Sequence, residues 1–227
     1  MTSRKLPRRV RLVLGALVAL LPILAACAPA AVAGRPTDYS VSTHLGQRLR
    51  WNPCAPVHWR ADLRNAPAGT LTALKSAVAT LSSKTGIPFV YDGAATYTPQ
   101  RGGPYGPAPL VISFGRRPGR PSASNYLSGG SNVGYGGYTA TGAYVNGKPV
   151  YKITHGFVVI DADRYPFLSS KVKKGVLLHE LGHAVGLNHA KYSSELMYPT
   201  ISGSSPSGYS AGDLNGLRLV GRSAGCL

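Results

Sequence analysis

Apolar and polar positions recur with recognisable periods through most of the chain after Arg50. Val57 to Leu63 alternates well enough to predict a first strand. Thr70 to Lys84 places Leu71, Leu74, Val78 and Leu81 at the three- and four-residue spacings of one helix face, and Gly86 stands where a C-cap is expected. Pro88 to Tyr91 and Leu110 to Phe114 are short β-rich runs, separated by a Gly/Pro segment, Gly93 to Pro109, that reads as loop. From Gly115 to Gly147 the chain is rich in Gly, Ser, Tyr and Arg. The Gly129-Gly130 and Gly136-Gly137 pairs there predict a ligand-facing or mobile loop rather than a long element. Tyr151 to Asp161 is the clearest strand. Lys171 to Val185 has helical composition with Ser169 or Ser170 available as N-cap. Ser210 to Asp213 resembles a capping box opening a last helix on Leu214, Leu217 and Val220.

The N-terminus follows a different logic. Five basic residues (Arg4, Lys5, Arg8, Arg9, Arg11) precede Leu12 to Ala26, an uncharged apolar run broken by Gly15 and Pro22. A spanning helix needs roughly 18 to 20 such residues, so the run is short for one. This is the layout of an export signal. Two cuts compete: Ala31-Val32-Ala33 would give a signal peptide of residues 1–33 and a soluble protein starting at Gly34. Leu24-Ala25-Ala26-Cys27 resembles a lipobox, giving a lipoprotein signal of residues 1–26 with Cys27 acylated. Either route predicts an exported protein, secreted or lipid-anchored on the outer face of the cell membrane. Residues 34–50 are polar and aperiodic and read as a linker or tether, too short for a folded inhibitory prodomain. The globular domain is expected over residues 51–227.

Composition narrows the function classes. At 44% hydrophobic and 15% charged residues the chain can bury a real core and is not a disordered segment. The net charge of +17 falls to +12 once the basic leader is set aside. A surface of that sign suits an anionic envelope polymer, a membrane surface or acidic substrates. Nucleic acid is not expected as a partner, because no recognition motif accompanies the charge and export separates the two. Of three cysteines, Cys27 belongs to the leader, which leaves Cys54 and Cys226 as an expected disulfide, the alternative being two separate buried thiols.

The chemistry lies in His179-Glu180-Leu181-Gly182-His183-Ala184-Val185-Gly186-Leu187-Asn188-His189. On a helix, His179 and His183 project from one face a turn apart and can grip one ion. Glu180, about 100° round the helix, is left to act on a water at that ion. Gly186 permits the left-handed turn that returns His189 as third ligand. Three neutral imidazoles leave a fourth zinc position open, as catalytic sites do.

This stretch matches HExxHxxGxxH, the signature of metzincin metallopeptidases, and the chain resembles the matrixins among them. Leu196-Met197-Tyr198-Pro199 is similar to their Met-turn, in which Met197 would floor the zinc site without ligating. Residues 210–221 resemble their closing helix. The resemblance implies an α+β fold: a twisted, mixed five-stranded sheet, mostly parallel, with one antiparallel edge strand that pairs with substrate. An active-site helix and a small C-terminal lobe ending in a helix complete it. It also implies one catalytic zinc, a pocket wall from Pro199 to Tyr209, and a monomer acting on protein or peptide substrates. Calcium lacks a clear motif. Only His155, Asp161 and Asp163 lie in a plausible region, and Asp161-Ala162-Asp163 reads as a strand end; isolated His44, His58 and His155 read as surface or packing residues. The expected activity is zinc-dependent endopeptidase, with Glu180 as general base. The rival reading is a non-catalytic envelope-binding lipoprotein on the same fold.

Overall fold

In the computed structural model, which describes residues 34–227, the chain runs β1 (Ser40–Val41), β2 (Thr43–His44), β3 (Gln47–Arg50), β4 (Val57–Asp62), α1 (Thr70–Thr85), β5 (Phe89–Ala94), β6 (Leu110–Gly115), β7 (Gly134–Val145), β8 (Lys148–Asp161), α2 (Ser170–Ala184), β9 (Leu187–Asn188) and α3 (Ala211–Val220). The expected export signal and Cys27 lie outside the described residues. Among those residues no helix is long and apolar enough to cross a membrane.

Four parallel strands in the order β5, β4, β6, β8 carry β7 as an antiparallel edge beyond β8. These are the five strands of the expected mixed sheet. The full sheet has seven, because the β2–β3 hairpin joins through β3, whose Leu49 pairs in parallel with Tyr151. β3 and β6 therefore share one side of β8, β3 at its start and β6 from Gly156 onward, while β7 runs along the other side.

Burial explains the pattern of the strands. β6 is buried at every position, as expected of a central parallel strand covered on both faces, and reads as the continuous apolar run seen in the sequence. Leu74, Val78 and Leu81 of α1 and Leu177, Leu178 and Leu181 of α2 join Trp59, Ile112, Phe114, Val158 and Ile160 in one core. Burying each such Leu or Ile contributes about 1.5–3 kcal/mol. α1 ends at Gly86, whose positive φ of 69° gives the left-handed cap. α2 begins at Ser169, whose hydroxyl accepts from the Val172 N–H, and α3 has both halves of the expected capping box between Ser210 and Asp213.

Two expectations are corrected. Residues 34–50 are not a free linker: β1 pairs antiparallel with β9, β3 joins the main sheet, and Asp38 accepts from the Lys191 and Tyr192 N–H groups at 2.9 and 2.8 Å. Strands of two to four residues are too short for a period to show, so the sequence pattern could not reveal them. Nor is the whole of residues 115–147 a loop, since β7 occupies its second half and pairs with β8 over its full length. The glycines that seemed to break it answer to its neighbours. A Cβ at Gly137 would stand 2.7 Å from the Phe157 ring, and one at Gly136 would overlap the Glu180 carbonyl of α2.

Cys54 and Cys226, 172 positions apart in sequence, form the expected disulfide, with Cα atoms 5.4 Å apart. It ties the loop before β4 to the C-terminal tail. Around it Arg50 donates to the Gly225 carbonyl at 2.7 Å, and the Leu227 N–H donates to Asn52 Oδ1 at 3.2 Å.

Candidate metal centre and active site

α2 supplies two of the three histidines and the neighbouring glutamate, and the turn after it supplies the third. The helix stops at Ala184, and Gly186 has a φ of 102°, a conformation that L side chains rarely adopt. Its backbone also packs close to the Leu49 carbonyl of β3, where a Cβ would stand 2.6 Å away. β9 then returns the chain beneath the helix and delivers His189.

The three imidazoles converge through Nε2. His183 Nε2 lies 3.1 Å from that of His179 and 3.1 Å from that of His189, and the remaining pair is 3.3 Å apart. Second partners fix two tautomers: His179 Nδ1 donates to the Leu196 carbonyl at 2.9 Å and His183 Nδ1 to the Leu187 carbonyl at 2.8 Å. A carbonyl only accepts, so in the neutral rings both protons sit on Nδ1 and both Nε2 lone pairs face inward. Burial, with the neighbouring histidines adding to it, lowers the pKa of His179 to about 3; burial first and then His189 lowers His183 to about 4. Bare lone pairs at this spacing repel unless a cation lies between them. The edge of a tetrahedron of nitrogens around zinc is roughly 3.3 Å, so the donor set fits that ion in number, type and spacing. Among the described residues, His179, His183 and His189 are the group of side chains that could hold a metal ion.

Glu180 is buried on the β7 side of α2. Gly134 and Gly136 both abut it; a Cβ at Gly134 would be 2.7 Å from Oε1. Burial raises the Glu180 carboxyl to about 8, opposed by the Gly136 backbone hydrogen bond. The glutamate and all three histidines line one cleft of about 460 Å³, whose walls include Gly134 to Tyr138 of β7 and Pro199 to Ile201. The expected pocket wall at residues 199–209 thus contributes its first three residues to the cleft.

Met197 is 1% exposed and packs against Gly182 of α2, the glycine between the two helix histidines. Its backbone is held from two sides: the Ala190 N–H donates to the Met197 carbonyl at 2.9 Å, and Asp213 accepts from the Leu196 and Met197 N–H groups at 2.7 and 3.1 Å. Asp213 was legible only as a helix cap. Its second task, fixing the carbonyl that orients His179, had no sequence signal. Glu195 escaped notice too: wholly buried, it accepts from the Gly212 and Asp213 N–H groups at 2.9 and 3.1 Å.

The other candidates stand apart from this centre. His44 packs edge-on against Tyr151, His58 Nδ1 bonds Asp92 at 2.9 Å, and His155 stacks on Tyr105. Asp161 is fully buried and accepts from Arg117 Nε and from the Asp163 N–H, both at 3.0 Å. Asp163 pairs with Arg116 at 3.6 Å and Arg120 at 3.0 Å. Guanidinium groups occupy the two aspartates that a calcium site would need.

Residues 139–219 match the model of the matrixin family, a span that includes all three histidines, Glu180, Met197 and all but the last residue of α3. A protein of Trichoplusia ni ascovirus 2c named "Putative matrix metalloproteinase" is 32% identical over 88 residues, which cover 34% of this chain and 17% of that relative. This stretch of the chain is therefore similar to the matrixin metzincins. It spans only about a sixth of the viral protein's length.

Proposed function

We propose that the protein is an exported zinc-dependent endopeptidase that hydrolyses peptide bonds of proteins at or outside the cell envelope. The observation that carries this reading is the pairing of three inward-facing Nε2 atoms with a buried carboxylate in one cleft. A zinc ion held by His179, His183 and His189 would supply Lewis acidity to the scissile carbonyl and to the attacking water.

The chain's own groups do the rest. Glu180 takes the proton of the attacking water and returns it to the departing amine nitrogen, a general-base and general-acid role. Its high carboxyl pKa suits it to hold that proton in between, and the charge of a neighbouring cation favours the ionised form that starts the cycle. Among the described residues β7 pairs with β8 alone, and its other edge borders the cleft. An open strand edge suits an extended peptide. Pro199 to Ile201 would meet the side chain beyond the cut.

Cleavage of an unstructured protein, followed together with metal content, tests the proposal. One zinc per chain and cleavage that a chelator stops and added zinc restores are the expected results. A folded, zinc-loaded protein that leaves every peptide bond intact would contradict it.

A further inference from the structure

The sheet has a second face, turned away from α1 and α2. Val158 and Ile160 of β8 enter the core, so His155 and Phe157, at alternate positions, point the other way. Their ladder partners share that face: Thr139 and Gly137 of β7, Val111 of β6 and, through Val111, Arg60 of β4. Thr141, two positions after Thr139, pairs with Lys152, which stands level with Arg50 of β3; Arg48 lies two positions before Arg50. The same face therefore carries Lys152, Arg50 and Arg48.

A cavity of about 330 Å³ opens there, between the sheet and the loop that follows β5. The loop is pressed onto β6 at Gly106, where a Cβ would stand 2.5 Å from Val111 Cγ2, and the Tyr97 hydroxyl donates to the Pro104 carbonyl. Tyr105 stacks on His155 with ring centroids 4.5 Å apart and is still 61% exposed, which leaves its outer face open. Tyr126 stacks on both Tyr135 and Phe157, at 4.7 and 4.6 Å, and the Arg101 guanidinium stands 5.4 Å from its centroid. Thr139 lines the cavity, and its hydroxyl is buried without a hydrogen-bond partner among the described residues. Such a hydroxyl costs about 1–3 kcal/mol unless something in the cavity bonds it.

Charge on this face has one sign. Two carboxylates share it, and both are engaged: Asp62 by Arg64, and Asp92 by His58 at 2.9 Å. Arg48, Arg60 and Lys152 form no ion pair among the described residues. Burial, and then the charge of Arg48, lower the pKa of Arg50, as expected where cations gather without an acid between them.

We infer that this face binds an anionic glycan, with one sugar ring in the cavity beside Tyr105 and Thr139 and the acidic substituents of neighbouring sugars on Arg48, Arg60, Arg101 and Lys152. The C–H face of a pyranose packs on an aromatic ring while its hydroxyls reach outward, which matches an open ring face next to an unpartnered hydroxyl. A nucleic acid needs several open ring faces in succession. Here Tyr126 is already stacked on two rings, so one open face remains at Tyr105. Gly136 abuts Glu180 whereas Gly137 abuts Phe157, so glycan and cleft lie on opposite faces of β7 and can be filled together. The inference does not rest on the catalytic reading.

Calorimetric titration of the purified protein tests it, with oligogalacturonate and dextran sulfate as probes and poly-D-glutamate and single-stranded oligothymidylate of similar charge as controls. At least one of the two glycans should bind about tenfold or more tighter than either control; the tighter of the pair tells carboxylate-bearing from sulfate-bearing sugar. Glycans no tighter than poly-D-glutamate would reduce the face to charge alone and overturn the inference, and tightest binding of oligothymidylate would overturn it in favour of nucleic acid. Tyr105→Ala, at an exposed ring, should weaken the glycan about tenfold, the worth of one stacked ring, and leave poly-D-glutamate unchanged. Thr139→Val removes a hydroxyl that bonds nothing, so it should keep the melting temperature and also weaken the glycan. Glycan affinity unchanged in Tyr105→Ala would place the sugar elsewhere and overturn the assignment.

Discussion

A Cβ on Gly182 would stand 2.5 Å from Met197 Sδ, so the helix that carries two of the histidines and the turn beneath them meet with no room to spare. The glycine between the two α2 histidines is thus a packing requirement of the floor. Overpacking a filled core costs about 1–3 kcal/mol, and truncating a buried Met to Ala about 2–5 kcal/mol. Gly182→Ala and Met197→Ala should each destabilise by such amounts. The double variant should cost less than their sum, since Ala at 197 makes space for the new methyl. A double-mutant cycle by denaturant unfolding checks this, and strict additivity would show that the two residues do not share the space.

Gly136 makes the same kind of contact between β7 and the Glu180 carbonyl. Gly136→Ala should lower stability by about 1–3 kcal/mol and displace the strand edge that borders the cleft, reducing any peptide cleavage. Gly142→Ala is the control, because a Cβ there meets Tyr151 only at 3.4 Å. Melting temperatures of the two variants should differ clearly; equal values would mean that β7 yields without cost.

Asp161 and Asp163 are engaged by Arg116, Arg117 and Arg120 rather than left open for a cation. A calcium-selective chelator should leave the melting temperature unchanged. Arg117→Met should cost less than the about 3–5 kcal/mol of a buried charge left wholly unpartnered, because Arg164 Nε stays 3.8 Å from Asp161. A fall in melting temperature on calcium removal would show that the arginines do not serve in calcium's place.

The Cys54–Cys226 bridge closes nearly the whole folded chain, and the chain-entropy relation for so long a loop gives about 5 kcal/mol. Cys226→Ser should therefore shift denaturant unfolding to markedly lower midpoints, and reduction of the wild type should reproduce the shift. A variant as stable as the wild type would mean that the tail contacts around Arg50 and Asn52 suffice to hold the ends together.

How much of this was legible in the sequence follows from the range of each interaction. His179, Glu180 and His183 sit on one helix, so their relation follows from helical geometry, and Gly186 marks the turn that brings His189 back. The apolar helix faces and strands around Leu74, Ile112 and Ile160 were equally plain, because burial imposes a period. β7 was not: its glycines are set by α2 and Phe157, which lie elsewhere in the chain. The docking of residues 34–41 was hidden for a similar reason. It depends on Asp38 and Asn215 meeting backbone groups more than a hundred residues away, and such pairs leave no local pattern.

In the proposed reaction Glu180 moves the proton while the three histidines hold the metal. Glu180→Gln keeps the shape of the side chain and removes the base, so its cleavage rate at matched zinc content tests the claim most directly. One zinc per chain is expected in both proteins, with a fall in rate of about 10²–10⁴-fold in the variant, the usual contribution of general acid–base catalysis. Cleavage by the variant at the wild-type rate, with zinc equally bound, would contradict it.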